Sequence, residues 1–274
     1  MTEKVLVTPA ELSSMLPSDD IVLIDTRDPA TYAAGHLPGA VNIHDIFTYL
    51  ATSTPEGVAA MREKFAAVFG AAGLSGKETA VVYEQSMNSG FGQSCRGYVL
   101  LTYLGYPKVA ILHGGYAAWT KAGGEVSKEP VTAEAGDFSA EFRPELLADV
   151  KEVQDAIAGD TNLIDARSVA QFIGKEKTNT VQALGTVPTS VNINFDKFYH
   201  PEKPGFASAE EIAALTKTAS VTDDKGLITF CNTGHLASIA WFGLSEVEGL
   251  KNVRLYDGSM SQWTADASRP VVAQ

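Results

Sequence analysis

Short apolar runs alternate along the chain with segments of helical period. The runs Ile21–Asp25, Thr79–Tyr83, Val109–Leu112, Asn162–Asp165, Leu227–Phe230 and 253–256 lack polar alternation, which predicts strands buried on both faces. Helix-start signals lie between them. Thr8-Pro9-Ala10-Glu11 reads as an N-cap, a first-turn proline and an acidic third position, and Ser208-Ala-Glu-Glu211 repeats that capping logic. Strands separated by helices imply an α/β chain of mostly parallel sheets flanked by helices. In such sheets reactive groups gather at the carboxyl ends of the strands.

The pattern occurs twice. Ile24-Asp25-Thr-Arg27, Tyr32 and Gly35-His-Leu-Pro38-Gly-Ala-Val-Asn42 are answered by Ile164-Asp165-Ala-Arg167, Phe172 and Gly185-Thr-Val-Pro188-Thr-Ser-Val-Asn192. Further on, Ala80-Val-Val-Tyr83 matches Leu227-Ile-Thr-Phe230, and Gly114 to Trp119 matches Gly258 to Trp263. A duplication with a few loop insertions has this appearance, one insertion falling around Lys175 to Ala183. Two similar domains follow, 1–125 and 145–274. They are joined by 126–144, rich in Gly, Pro and charge, which suits an extended connector.

Composition narrows the partners. A net charge of −12 argues against nucleic acid and anionic membrane surfaces, which require basic patches. No apolar stretch approaches the length of a membrane span, and the first residues show no secretory pattern. The expectation is a cytoplasmic monomer, or a periplasmic protein whose signal has been removed. Two cysteines, Cys95 and Cys231, give neither a disulfide framework nor metal-ligand spacing, and no metal or cofactor is expected.

Cys231 is the residue that carries chemistry. It ends the apolar run Leu227–Phe230, and a helical pattern follows from Ala237. A thiol in such a strand-to-helix loop meets backbone N–H groups and the positive end of a helix, which favour an anion and lower the thiol pKa. The alternative is an inert buried cysteine. Serine-hydrolase, phosphate-loop and zinc-protease motifs are absent. Attack on phosphorus in a Cys-x5-Arg site needs an arginine six positions on, where this chain has Ala237. Attack on a sulfane sulfur needs only the thiolate, N–H donors and an open pocket.

Taken together, these motifs resemble the rhodanese family of sulfurtransferases in its two-domain form, over nearly the whole chain. The resemblance implies two tandem rhodanese-like domains, the second catalytic and the first inactive, since Glu84 stands where Cys231 does. It also implies double displacement. Cys231 takes the outer sulfur of thiosulfate, releases sulfite, and passes the sulfur from a persulfide to cyanide or a thiol. The N–H groups from Asn232, Thr233, Gly234, His235, Leu236 and Ala237 would hold the anion.

The loop departs from the family in several places. It carries no basic residue and is not the Cys-Gly-Ser/Thr-Gly-Val pattern of mercaptopyruvate relatives, although Thr233-Gly234 is shared with it. Gln171, before Phe172, replaces a family arginine. The donor is thus thiosulfate or 3-mercaptopyruvate, and a persulfide carrier with little turnover on small donors is the third reading. His235 either supplies charge below about pH 6.5 or shapes the loop. His36, His44, His113 and His200 show no clustering, with His36 expected to satisfy backbone groups at a turn. Asp25–Arg27 and Asp165–Arg167 are expected as structural pairs, Cys95 as structural packing, Trp119, Trp241 and Trp263 as core or interdomain packing, and Lys175 and Lys177 as solvated surface.

Overall fold

A computed structural model of the chain describes residues 4–88, 91–200, 205–222 and 224–273. Within the loop after Tyr83, Ser89 and Gly90 lie outside the described residues, as do Met1 to Glu3 of the N-terminal segment.

The chain forms two compact units. The first comprises Met1–Tyr49, Ala60–Arg143 and His200–Phe206, and the second Leu50–Ala59, Pro144–Tyr199 and Ala207–Gln274. Each therefore contains a short segment taken from the sequence of the other half.

The first unit opens with β1 (Leu6–Val7), α1 (Pro9–Met15), β2 (Ile21–Asp25), α2 (Pro29–Ala34) and β3 (Val41–Asn42). After α3 (Asp45–Thr48) and α4 (Pro55–Ala71) come β4 (Thr79–Tyr83), α5 (Gln93–Tyr103), β5 (Val109–Leu112) and α6 (Gly115–Lys121). Its five strands pair in the order β1-β5-β4-β2-β3, every pair parallel. The capping box read at Thr8 is present. Its side chain accepts from the Glu11 N–H, and the Glu11 carboxylate accepts from the Thr8 N–H at 2.8 Å.

The second unit runs α7 (Val150–Ala158), β6 (Asn162–Asp165), α8 (Val169–Phe172), β7 (Val191–Asn192) and α9 (Ala209–Thr218), the last capped by Ser208 as expected. There follow β8 (Leu227–Phe230), α10 (His235–Phe242), β9 (Val253–Leu255) and α11 (Ser259–Trp263). The sheet order is β7-β6-β8-β9, again parallel throughout. Leu147 makes a single parallel bridge to Leu255, on the open side of β9, as β1 does on β5 in the first unit.

The predicted strands form, with two corrections of boundary. The last strand ends at Leu255, because Tyr256 already turns toward α11 and accepts the Ser259 N–H. The helix expected from Ala237 starts at His235. Gly234, at φ 88, allows the chain to enter the helix two residues earlier than its apolar pattern indicates.

Both sheets bury a continuous apolar core. Val81, Tyr83, Leu112 and Trp119 are among its members in the first unit, and Ile228, Phe230, Met260 and Trp263 in the second. Trp241 is also buried, so the tryptophans are core residues. Cys95, within α5, is fully buried. The connector after α6 lies on the first unit. Phe138 packs on Phe69 and stacks on Tyr106, and the Gly136 N–H donates to Gly70. Among the described residues no helix is long and apolar enough to cross a membrane.

Candidate active site

The aligned motifs build the same framework in each unit. Asp25 and Arg27 meet at 2.6 Å, as do Asp165 and Arg167, and all four are buried. Each arginine also donates to the carbonyl of the glycine that opens the following turn, Gly35 or Gly185. Asn42 and Asn192 each donate to two backbone carbonyls of the Asp-x-Arg turn beside them. These groups fix the carboxyl ends of the two central strands, and the pairs are structural as expected.

Register puts Cys231 and Glu84 at equivalent positions of their two sheets. Asp165 pairs with Phe230 and Asp25 with Tyr83, so each residue is the first beyond its strand. The backbone carbonyls agree. Those of Glu84 and Gln85 accept N–H groups of Tyr116 and Ala117, and those of Cys231 and Asn232 accept N–H groups of Met260 and Ser261. What differs is the side chain. Glu84 is buried, accepting from Ser94 Oγ at 2.7 Å and the Gln93 N–H at 3.1 Å.

Around the Cys231 sulfur the loop makes a concave rim of donors. The Gly234 N–H reaches Sγ at 3.2 Å, and the N–H groups of Thr233 and Ala237 favour its thiolate form. Ala237 is the third residue of α10, in the first turn, where a helix leaves N–H groups without intrahelical acceptors. Gly234 is required on two grounds: its φ is left-handed, and a Cβ there would lie 2.1 Å from Asp257 Oδ1. Of the loop N–H groups expected to hold the anion, that of Gly234 bonds to the sulfur.

Ser259 completes the site and was not singled out from the sequence. Its Oγ accepts the Cys231 N–H at 3.0 Å and donates to the Tyr256 carbonyl at 2.9 Å, which sets the hydroxyl against Cys231. Its φ is 49, in the left-handed region that Gly115 occupies in the first unit at φ 64. A serine in a duplicated glycine position was the available signal. A strained backbone here places a hydroxyl where a glycine would offer none.

The rim is neutral. From Cys231 to Ala237 there is no Lys or Arg. Gln171, at the family's arginine position, accepts from Asn232 Nδ2 at 2.9 Å. His235, also buried, faces the Thr233 hydroxyl through Nδ1 at 3.3 Å. The other histidines are dispersed. His36 places both ring nitrogens on backbone carbonyls, of Tyr32 and Glu129, while His44 meets the Thr26 carbonyl and His113 accepts the Phe206 N–H. Lys175 and Lys177 are exposed. Among the described residues, no cluster of three or more His, Cys, Asp or Glu could hold a metal ion.

The electrostatics correct one expectation. Burial pushes the Cys231 thiol up, against the opposing effects of the Ala237, Thr233 and Gly234 N–H groups and the Ser259 hydroxyl. The side chain is only 1% exposed, so loss of water outweighs three neutral donors where a fixed cation is lacking. Alkylation of Cys231 by iodoacetamide, followed by peptide mass spectrometry, should therefore still be accelerating above about pH 8.5, where a free thiol is half ionised. A plateau below neutral pH would contradict this.

The chain is similar to known proteins. The rhodanese-like domain matches the chain twice, at residues 8–122 and 149–266. A thiosulfate sulfurtransferase of Azotobacter vinelandii is 27% identical over 267 residues, covering 97% of this chain and 96% of that protein. The crystal structure of SseA from Escherichia coli, described with the catalytic mechanism of 3-mercaptopyruvate sulfotransferases, superposes with a TM-score of 0.80 at 26% identity. The match covers 93% of this chain and 98% of that one. An anaerobic ergothioneine biosynthesis enzyme from Chlorobium limicola shares the fold, with a TM-score of 0.86, 24% identity, and coverage of 98% and 70%. With both of its halves matched and the same framework built twice, the chain belongs to the rhodanese family, as a tandem of two rhodanese-like domains.

Proposed function

We propose that the protein is a sulfurtransferase that moves a sulfane sulfur from thiosulfate, through a persulfide on Cys231, to cyanide or a thiol. The observation that carries this reading is the Cys231 sulfur at the carboxyl end of β8, accepting the Gly234 N–H at 3.2 Å, with the Ser259 hydroxyl on the Cys231 N–H. The thiosulfate sulfurtransferase relative supports the choice of donor.

In the first step the thiolate attacks the outer sulfur of thiosulfate. A Cys–S bond to sulfur forms, the S–S bond of thiosulfate breaks, and sulfite leaves with the electron pair. The terminal sulfur then carries the negative charge. Preformed N–H dipoles stabilise it without reorganisation, as an oxyanion hole stabilises oxygen. In the second step the acceptor attacks that terminal sulfur, the persulfide bond breaks, and the Cys231 thiolate returns. With cyanide the product is thiocyanate. Before the first step the buried thiol gives up its proton, so the raised Cys231 pKa makes persulfide formation faster as pH rises.

A second donor, 3-mercaptopyruvate, is favoured by two observations. Asn232, next to Cys231 in the chain, and Gln171 bond to each other and carry no charge, and the Escherichia coli relative is described with that chemistry. A monoanionic carboxylate donor loses less than a dianion does where no cation stands.

Mass spectrometry of protein treated with each donor tests the reading. The Cys231 peptide is expected to gain one sulfur atom, about 32 Da, and to lose it on addition of cyanide. Comparison of kcat/KM for the two donors ranks them. A persulfide that forms but turns over slowly with both would identify a carrier fed by another protein. Absence of the adduct with every donor would overturn sulfur transfer.

A further inference from the structure

Ser259 touches Cys231, and the segment that holds Ser259 in place comes from far away in the sequence. Leu50–Ala59 belongs to the second unit. Within it Ser53 is buried, 8% exposed, between the exposed Thr52 and Thr54. Its Oγ accepts the N–H of Gly258 at 3.1 Å, and its own N–H donates to Gln262 Oε1 at 2.9 Å. The two bonds grip the turn before α11 from both sides. The Gln262 side chain folds back over Gly258 so closely that a Cβ there would lie 1.6 Å from its Oε1. Gly258 has ordinary helical backbone angles, so it is this close approach that requires a glycine.

Ser53 is itself well anchored. The next residue, Thr54, accepts the Gly57 N–H through its side chain and the Val58 N–H through its carbonyl at the start of α4. A helix cap therefore fixes the backbone one residue beyond the contact. The partner turn is tied locally by the Ser259 N–H and hydroxyl on the Tyr256 carbonyl, yet Ser259 sits at a left-handed φ that a serine adopts only when its surroundings impose it.

We propose that Ser53 is a positioning residue for sulfur transfer: through the Gly258 N–H it holds the Ser259 turn so that the Ser259 hydroxyl stays on Cys231. The inference rests on the reading of Cys231 as the sulfur-bearing nucleophile. Ser53 does not touch the sulfur. It acts by keeping a strained residue in one conformation, and without it the Gly258 N–H is buried with no acceptor and the turn relaxes.

Sulfite release in a single turnover, at saturating thiosulfate and well below the unfolding temperature, tests this. Ser53→Ala should slow the step about tenfold, the cost of one lost hydrogen bond at the reacting group, with thiosulfate KM within twofold of the parent. Ser53→Thr, which keeps the hydroxyl, should restore the rate. In Ser53→Ala the pH dependence of Cys231 alkylation should also move upward, because the Ser259 hydroxyl no longer favours the thiolate; a role confined to folding would leave it unchanged. Gln262→Met removes the other half of the grip and serves as the second variant, with the same slowing expected. A rate within twofold of the parent in either variant overturns the proposal. Persulfide formation persisting in Cys231→Ser would instead overturn the reading on which it rests.

Discussion

Cys231→Ser is expected to lower thiosulfate-dependent thiocyanate production by about 10³-fold or more, while Cys95→Ser keeps the parent rate to within about twofold. Serine fits the same rim and accepts the same N–H groups, so the fold should survive. Its hydroxyl is a far weaker nucleophile toward sulfur and cannot form a persulfide. Cys95 is the internal control. It is buried in α5 of the first unit, and its substitution tests whether removal of any thiol matters. Unfolding temperatures of the parent and both variants, measured alongside, keep loss of chemistry apart from loss of structure. Activity in Cys231→Ser within tenfold of the parent would assign the nucleophile elsewhere.

Glu84→Gln is expected to stabilise the first unit, and to do so more as pH rises. The carboxyl occupies the position of the thiol in the other half, buried and facing the Ser94 hydroxyl and the Gln93 N–H. Burial pushes its pKa up to about 8, the two donors offsetting only part of the effect. An unfolded glutamate titrates near 4.3. Between these values the native state holds a proton that the unfolded state has released, so stability falls as pH rises through the window and levels off above about 8. Glutamine keeps an acceptor oxygen for the Gln93 N–H, presents its NH2 to the Ser94 oxygen, whose hydroxyl can rotate to accept, and cannot ionise. Relative to the parent, the variant should gain roughly 3 to 4 kcal/mol more at pH 8.5 than at pH 5, at about 1.4 kcal/mol for each pH unit. Hydrogen exchange of the amides of β4, compared between parent and variant at each pH, reads this out in the unit concerned. An equal difference at both pH values would mean that Glu84 is ionised in the native state across the whole range.

The two predictions concern the same position in a duplicated framework. After β8 it carries a thiol within N–H groups and a hydroxyl; after β4 it carries a buried carboxyl with donors of its own. The surrounding Asp-x-Arg and Asn contacts are shared. The chemistry of each half is thus decided at one side chain and the few groups that face it.

Much of this was legible in the chain. The apolar runs gave the central strands to within a residue, because a strand covered on both faces needs an unbroken apolar run whatever its neighbours. The Thr8 and Ser208 capping boxes were legible because their bonds close within four residues. The duplicated motifs paired Glu84 with Cys231 before any register was known. The short edge strands β1, β3 and β7 were not distinguished, two residues being too few to show a period. The sign of the Cys231 shift was missed as well. Donors can be inferred from a loop's sequence, whereas the extent of water exclusion depends on what packs over it.

Sequence by itself determined the α/β class, the duplication, the family and the one thiol at a strand's carboxyl end, since each depends on local periodicity or on motifs that recur at matching positions. Tertiary structure alone decided that Ser259 bonds to the Cys231 N–H, that Gln171 bonds to Asn232, and that Ser53 grips the Gly258 turn from 205 positions away. Those contacts join segments with no common period or motif, brought together by the closing of parallel sheets and by the segment Leu50–Ala59 joining the second unit. The site Cys231 occupies is therefore assembled from distant parts of the chain, while the residue at its centre was visible from the start.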